Sequence, residues 1–142
     1  MEEYGQVSHL ITRVARAHWA VAASLLGGLG LYPGQELLLM RLWEADRQSQ
    51  SDLAHGLRLD ASTVNRTVQR LERQGLVTRK PSPTDGRSVI VCLTAAGREV
   101  RAAVEEAWAE LEARVTAGMS DRQRGEIIRL LRRVESSLLT AP

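Results

Sequence analysis

Apolar residues recur at helical spacing along most of the chain, and the stretch 60–77 divides its two faces most sharply. Val64, Val68 and Leu71 fall at i, i+4 and i+7 on one stripe, while Ser62, Asn65, Arg66, Gln69 and Arg73 crowd the opposite side. Asp60 is placed to cap the first free amides, and Gly75 stands where a left-handed C-terminal stop is wanted, so a helix over 61–74 is predicted. One face of that helix is built for a core and the other for solvent or a partner.

Upstream, Leu10, Ile11, Val14, Ala17, Val21 and Leu25 mark a helix over 7–26, which Gly27, Gly28 and Gly30 break. A second helix is expected to start with Pro33 at its first position and to run through Trp43; it is apolar nearly all round and therefore buried. Residues 46–50 form a polar connection, and Ser49 with Asp52 three residues on has the form of a capping box opening a short helix, Gln50–Leu57. A tight turn over 56–60 then leads into the next helix. Two short helices joined by so few residues have the layout of a helix-turn-helix.

Downstream, residues 77–80 and Val89–Leu93 are β-branched runs separated by a spacer rich in Pro, Asp and Gly, which predicts a β-hairpin with a long exposed tip. A hairpin in this position is a wing. Thr94 can cap a further helix carrying Val100, Val104, Ala107, Trp108, Leu111 and Val115, expected to be the longest in the chain. Gly118 ends it. Ser120 with Gln123 opens a last amphipathic helix carrying Ile127, Ile128, Leu130, Leu131, Val134 and Leu138.

The first and last helices each carry an apolar stripe that the small middle region cannot cover. The economical solution is that they pack together and onto a second copy. The expected fold is mostly α with a small β-hairpin wing: a winged helix-turn-helix over 33–93 and a helical dimerisation region made of 1–32 and 94–142.

Composition sharpens this picture in three respects. The chain has 142 residues and no Phe, which suits a helical core of Leu, Val, Ala and Ile. Its net charge is only +2, but residues 47–91 hold eight basic and four acidic side chains, leaving the remainder at −2. A basic middle between more acidic ends is the footprint of a region that meets a polyanion. The single cysteine, Cys92, forms no internal disulfide, and the start Met-Glu-Glu-Tyr lacks the basic, apolar pattern of a signal peptide, so a cytoplasmic location is expected.

The motifs read together resemble the MarR family of bacterial transcription regulators. They are the run from Ser51 through Asp-Leu-Ala-His to Asn65-Arg66 and on to Leu71-Glu-Arg-Gln-Gly-Leu-Val-Thr-Arg79, then Asp85-Gly-Arg87, then Leu93-Thr-Ala-Ala-Gly97. The sequence departs from the family's pattern at Tyr32, where Thr or Ser is common before the second helix. The resemblance implies a homodimeric repressor or activator with a recognition helix in each major groove and each wing tip at a minor groove, and a repressor of a pseudo-palindromic operator in double-stranded DNA is the expected function. It places Ser62, Thr63, Asn65, Arg66 and Gln69 on the reading face and Arg87 at the wing tip. Asp85 is expected to hold Arg87 or another arginine in position.

Asn, Gln and Arg carry the forked donors and acceptors that match base edges, and a wing arginine is drawn to the negative potential of a narrow minor groove. Ser49, Gln50 and Ser51 at a helix start, and Arg70, Arg73 and Lys80 by charge, are candidates for phosphate. A small anionic or aromatic effector is a further candidate partner, with Arg16, His18, Trp19, Arg41, Trp43 and Trp108 as the side chains that could line its site. The contending reading is a winged-helix module that binds protein without sequence-specific DNA binding. An enzyme is not expected: no nucleophile–base–orienter set, phosphate-cradling glycine loop or metal-ligand cluster is present, and no cofactor is implied.

Overall fold

The computed structural model describes residues 2–140; Met1, Ala141 and Pro142, which the expected dimerisation segments include, lie outside them. After a 3-10 turn, Glu2–Tyr4, the chain runs α1 (Gln6–Gly27), α2 (Gln35–Glu44), β1 (Gln48–Ser49), α3 (Gln50–Leu57), α4 (Ala61–Arg73), β2 (Val77–Pro81), β3 (Val89–Leu93), α5 (Ala95–Glu99), α6 (Arg101–Val115) and α7 (Asp121–Leu139). It is mostly helical with a small antiparallel sheet in the order β1-β3-β2.

The core is built around α2. Leu38, Leu39 and Leu42 are fully buried against Leu53 of α3, Val64, Val68 and Leu71 of α4, and Val77, Val91 and Leu93 of the sheet. The i, i+4, i+7 stripe of α4 is thus the stripe that packs. Ala22 and Leu26 of α1 and Val104 and Leu111 of α6 join the same core, with α1 lying along α6.

Several local expectations need correcting. Pro33 sits in the turn before α2, not at its first position, because Gly34 adopts φ 102°, which a helical residue cannot hold. The first turn of α2 instead folds its own side chains back: Gln35 Oε1 accepts the Tyr32 N–H at 3.0 Å, and the Glu36 carboxylate accepts the Gly34 N–H. With no side-chain cap on the helix itself, these two buried side chains instead satisfy amides of the turn that leads into it.

The polar connection before α3 contains a third strand. Gln48 pairs with Val91 and Ser49 with Ile90. The helix after Thr94 is divided: the Val100 N–H is shared between the Ala96 and Arg98 carbonyls, separating α5, which sits on the sheet, from α6, which follows α1. The longest helix is α1, at 22 residues, and not the one after Thr94.

The outer helices are covered least. Leu10, Ile11 and Val14 of α1 and Ile128, Leu130, Leu131 and Leu138 of α7 are exposed, and no residue of α7 is buried. Helix α7 is opened by the expected capping box of Ser120 and Gln123, yet it does not pack extensively on any element of its own chain. An amphipathic helix without a tertiary partner has little to hold it folded. No helix among the described residues is long and apolar enough to cross a membrane.

Candidate nucleic-acid interface

Helices α3 and α4 are positioned by their caps. The Ser49 Oγ accepts the Asp52 N–H at 3.0 Å, and Asp60 Oδ1 accepts the Thr63 N–H at 2.7 Å. Between them Arg58 takes the left-handed conformation, φ 56°, that turns the chain from one helix into the next. The Asp60 carboxyl is lowered from 3.8 to about 2, first by the Thr63 backbone amide, then by the Ser62 and Thr63 hydroxyls, with the Arg66 charge adding to them against a small opposing effect of burial. A depressed carboxyl stabilises the fold fully above its ordinary value and ceases to do so as the pH falls through about 2, so the cap is intact at neutral pH.

Capping also decides which side chains of α4 remain free. The Ser62 hydroxyl donates to Asp60 Oδ1 at 2.7 Å and is spent on the helix end. Thr63 is half-buried, and its Oγ1 meets Arg66 Nη2 at a loose 3.4 Å. Asn65 and Gln69 are half-buried on the same side of the helix, and Arg66, Arg70 and Arg73 are exposed. Gln50 Nε2 reaches Asn65 Oδ1 at 3.5 Å, bringing the start of α3 beside the reading face. Gln50 Oε1 is buried with no donor among the described residues, while Ser51 is exposed.

The hairpin lies on one flank of α4. Register runs from Val77 opposite Leu93 to Pro81 opposite Val89, leaving residues 82–88 as the tip. Glu72 of α4 and Arg79 of β2 form an ion pair at 3.0 Å that fixes the wing against the helix. Sequence reasoning did not single out this pair. Asp85 holds Arg87 through its backbone, not its guanidinium: Oδ1 accepts the Arg87 N–H at 3.1 Å and Oδ2 the Ser88 hydroxyl at 3.3 Å. The Asp85 carboxylate therefore shapes the turn and leaves the Arg87 side chain exposed.

Among the described residues, Arg66, Arg73, Lys80 and Arg87 have no carboxylate within 4.0 Å. Basic side chains that fold into no internal pair present their charge to solvent or to an anion.

The six candidate effector residues are not gathered in this way. Arg16, His18 and Trp19 are exposed on α1. The indole N–H of Trp43 donates to the Gly97 carbonyl at 2.9 Å, and that of Trp108 to the buried Glu36 carboxylate at 3.2 Å, so both are partly buried links between α2 and the segment α5–α6. Arg41 lies against Gly56, where a side chain would collide with its guanidinium, and its Nε is buried without an acceptor. Cys92 is buried in β3.

Residues 31–89 match the family model described as MarR family. Over 105 residues, 74% of its length, the chain is 34% identical to a putative transcriptional regulatory protein for the hcr operon of Thauera aromatica, and it spans only 63% of that relative. A probable transcriptional regulator from Pseudomonas aeruginosa superimposes with TM-score 0.85 at 30% identity, over 92% of this chain and 97% of that one. Bordetella bronchiseptica BpsR, whose DNA binding is regulated by 6-hydroxynicotinic acid, superimposes with TM-score 0.85 at 26% identity, over 92% and 94% of the two chains.

Proposed function

Because the chain belongs to the MarR family of transcriptional regulators, we propose that it works as a homodimeric repressor that reads a pseudo-palindromic operator in double-stranded DNA. The family is one of regulators, not of enzymes. The observation that carries the reading is the basic surface formed by α4 and the wing, where Arg66, Arg73, Lys80 and Arg87 have no carboxylate partner among the described residues.

In this account α4 enters the major groove with Asn65, Arg66 and Gln69 toward base edges, supported by Ser62 and Thr63, while Arg87 of the wing enters the neighbouring minor groove. Asp85 serves by holding the wing turn. Ser49, Gln50 and Ser51 at the start of α3, with Arg70, Arg73 and Lys80, meet phosphate.

Residues 33–93 form the reading unit, and 1–32 with 94–142 form the dimer. The exposed apolar sides of α1 and α7 support the second part. Covering half-exposed side chains of this kind is worth roughly 1 kcal/mol apiece. Two copies supply the set twice, enough to meet an association cost of about 4–15 kcal/mol.

A small aromatic acid would release the operator by favouring a different spacing of the two lobes. Regulation of BpsR by 6-hydroxynicotinic acid supports that class of effector. Arg16, His18, Trp19 and Arg41 are the side chains with polar groups available to it, whereas Trp43 and Trp108 would offer ring faces alone because their N–H groups are taken.

Arg66→Ala tests the reading head. Operator affinity is expected to fall by about 1–3 kcal/mol, with relaxed preference at one base pair, as measured by titration against single-base variants of the operator. An affinity loss with the sequence preference intact would move Arg66 from base reading to phosphate contact.

A further inference from the structure

We propose that Tyr32 is a positioning residue: its ring holds Arg70 ready for a DNA phosphate on the flank of α4 opposite the wing. The inference rests on the DNA-reading role of α4.

At 3.6 residues per turn, Arg70 and Glu72 point to opposite flanks of the helix. The Glu72 flank is bound to the wing through Arg79. The Arg70 flank is bound to the turn between α1 and α2: Gln74 Nε2 donates to the Gly30 carbonyl at 2.6 Å, and Arg70 Cζ lies 5.7 Å from the centre of the Tyr32 ring. The reading helix is therefore gripped from both sides, by the wing on one and by residues 30–32 on the other.

The two grips leave their arginines in different states. Arg79 gives both its Nε–H and an Nη2–H to the Glu72 carboxylate, at 3.2 and 3.0 Å, and has spent them inside the protein. Arg70 lies over the ring and, among the described residues, has no carboxylate within 4.0 Å. A guanidinium over a ring face keeps its N–H groups pointing outward in its own plane, available to an anion.

The core does not account for the ring, since Tyr32 is 65% exposed. The backbone that carries it is held. The Tyr32 N–H donates to Gln35 Oε1, its carbonyl accepts the Gln35 N–H at 3.0 Å, and Pro33 restricts the residue before it to extended conformations. A ring carried on a held backbone and in contact with the guanidinium removes part of the rotamer freedom Arg70 would otherwise lose on meeting a phosphate. A helix in a major groove runs between two backbones; with the wing at one, Arg70 faces the other.

The test is titration of a duplex selected from random sequence by the wild-type protein, across a range of salt concentrations. Five proteins are compared: wild type, Arg70→Ala, Tyr32→Ala, Tyr32→Phe and the double alanine variant. Arg70→Ala is expected to reduce the slope of log affinity against log salt by about one. Tyr32→Ala is expected to weaken binding about two- to fivefold, the worth of an exposed cation–π contact, while Tyr32→Phe stays within about twofold of wild type. The double variant is expected to bind no more weakly than Arg70→Ala, because the ring acts through the arginine.

Full additivity of the two losses would overturn the proposal, as would wild-type binding by Tyr32→Ala or equal damage from phenylalanine and alanine. A folded wild-type protein that selects no duplex would overturn the DNA reading of α4 itself, and this proposal with it.

Discussion

Replacing Leu131 by aspartate is expected to yield a single-chain protein whose affinity for a full operator falls by two orders of magnitude or more. Leu131 lies on the apolar side of α7, is 56% exposed, and belongs to a helix with no buried residue. In the proposed dimer a second copy gives that side somewhere to pack. A charge there would have to be desolvated at the interface without a partner, which opposes association far more strongly than a smaller apolar side chain would.

Separating the copies also separates the two reading heads, so the second contact is no longer intramolecular and an advantage of about 10²–10⁴ is lost. The core around α2, α3, α4 and the sheet does not use α7. Circular dichroism should therefore show the winged unit still folded, while sedimentation equilibrium reports the molecular mass. A variant that remains dimeric, or a monomer that binds the full operator as tightly as wild type, would contradict this part of the account.

Gly97→Ala is expected to destabilise the protein by about 3 kcal/mol, lowering its melting temperature by on the order of 10 °C at fixed protein concentration. A Cβ on Gly97 would stand 2.0 Å from the Leu76 carbonyl oxygen and 3.2 Å from Leu93 Cδ2. The first of these is backbone and cannot rotate away. Leu76 O also accepts the Thr94 N–H at 3.1 Å, and the Thr94 hydroxyl donates to Gly75 O at 2.6 Å while accepting the Gly97 N–H.

Moving either segment therefore breaks the joint through which the wing continues into α5, and moving α5 displaces the carbonyl that receives the Trp43 indole. Gly27→Ala is a suitable control, since nothing lies within 4 Å of its added Cβ. A Gly97→Ala protein that melts within a degree or two of wild type would show that the joint is slacker than its geometry indicates.

These two positions also mark how far the sequence could be read. The apolar period exposed α4 and its caps because Val64, Val68, Leu71, Asp60 and Gly75 all act locally, each through its own turn of helix. Leu131 was legible as part of an unpartnered stripe for the same reason. Gly97 was legible only as part of a motif, since its importance comes from Leu76, which reaches it through the hairpin.

The misread elements share that non-local origin. The strand Gln48–Ser49 has two polar residues and no period of its own; it exists because β3 offers an edge. The division at Val100 follows from α5 being tied to the sheet while α6 follows α1. Among the candidate site residues, the spacing along α4 identified the exposed face, but not that Ser62 is occupied by the cap or that Asp85 grips Arg87 by its amide. Tyr32 meets Arg70 across 38 residues of sequence, a separation no helical or strand period spans.

The central claim is that two copies of α4, held by helices distant from them in sequence, read one inverted repeat. Footprinting of the purified protein on the DNA upstream of its own gene tests this most directly. The account predicts protection of two half-sites related by a two-fold axis and spaced about one helical turn, roughly 34 Å, with the protection lost as salt is raised. A folded dimer that protects no inverted repeat at any salt concentration would contradict it.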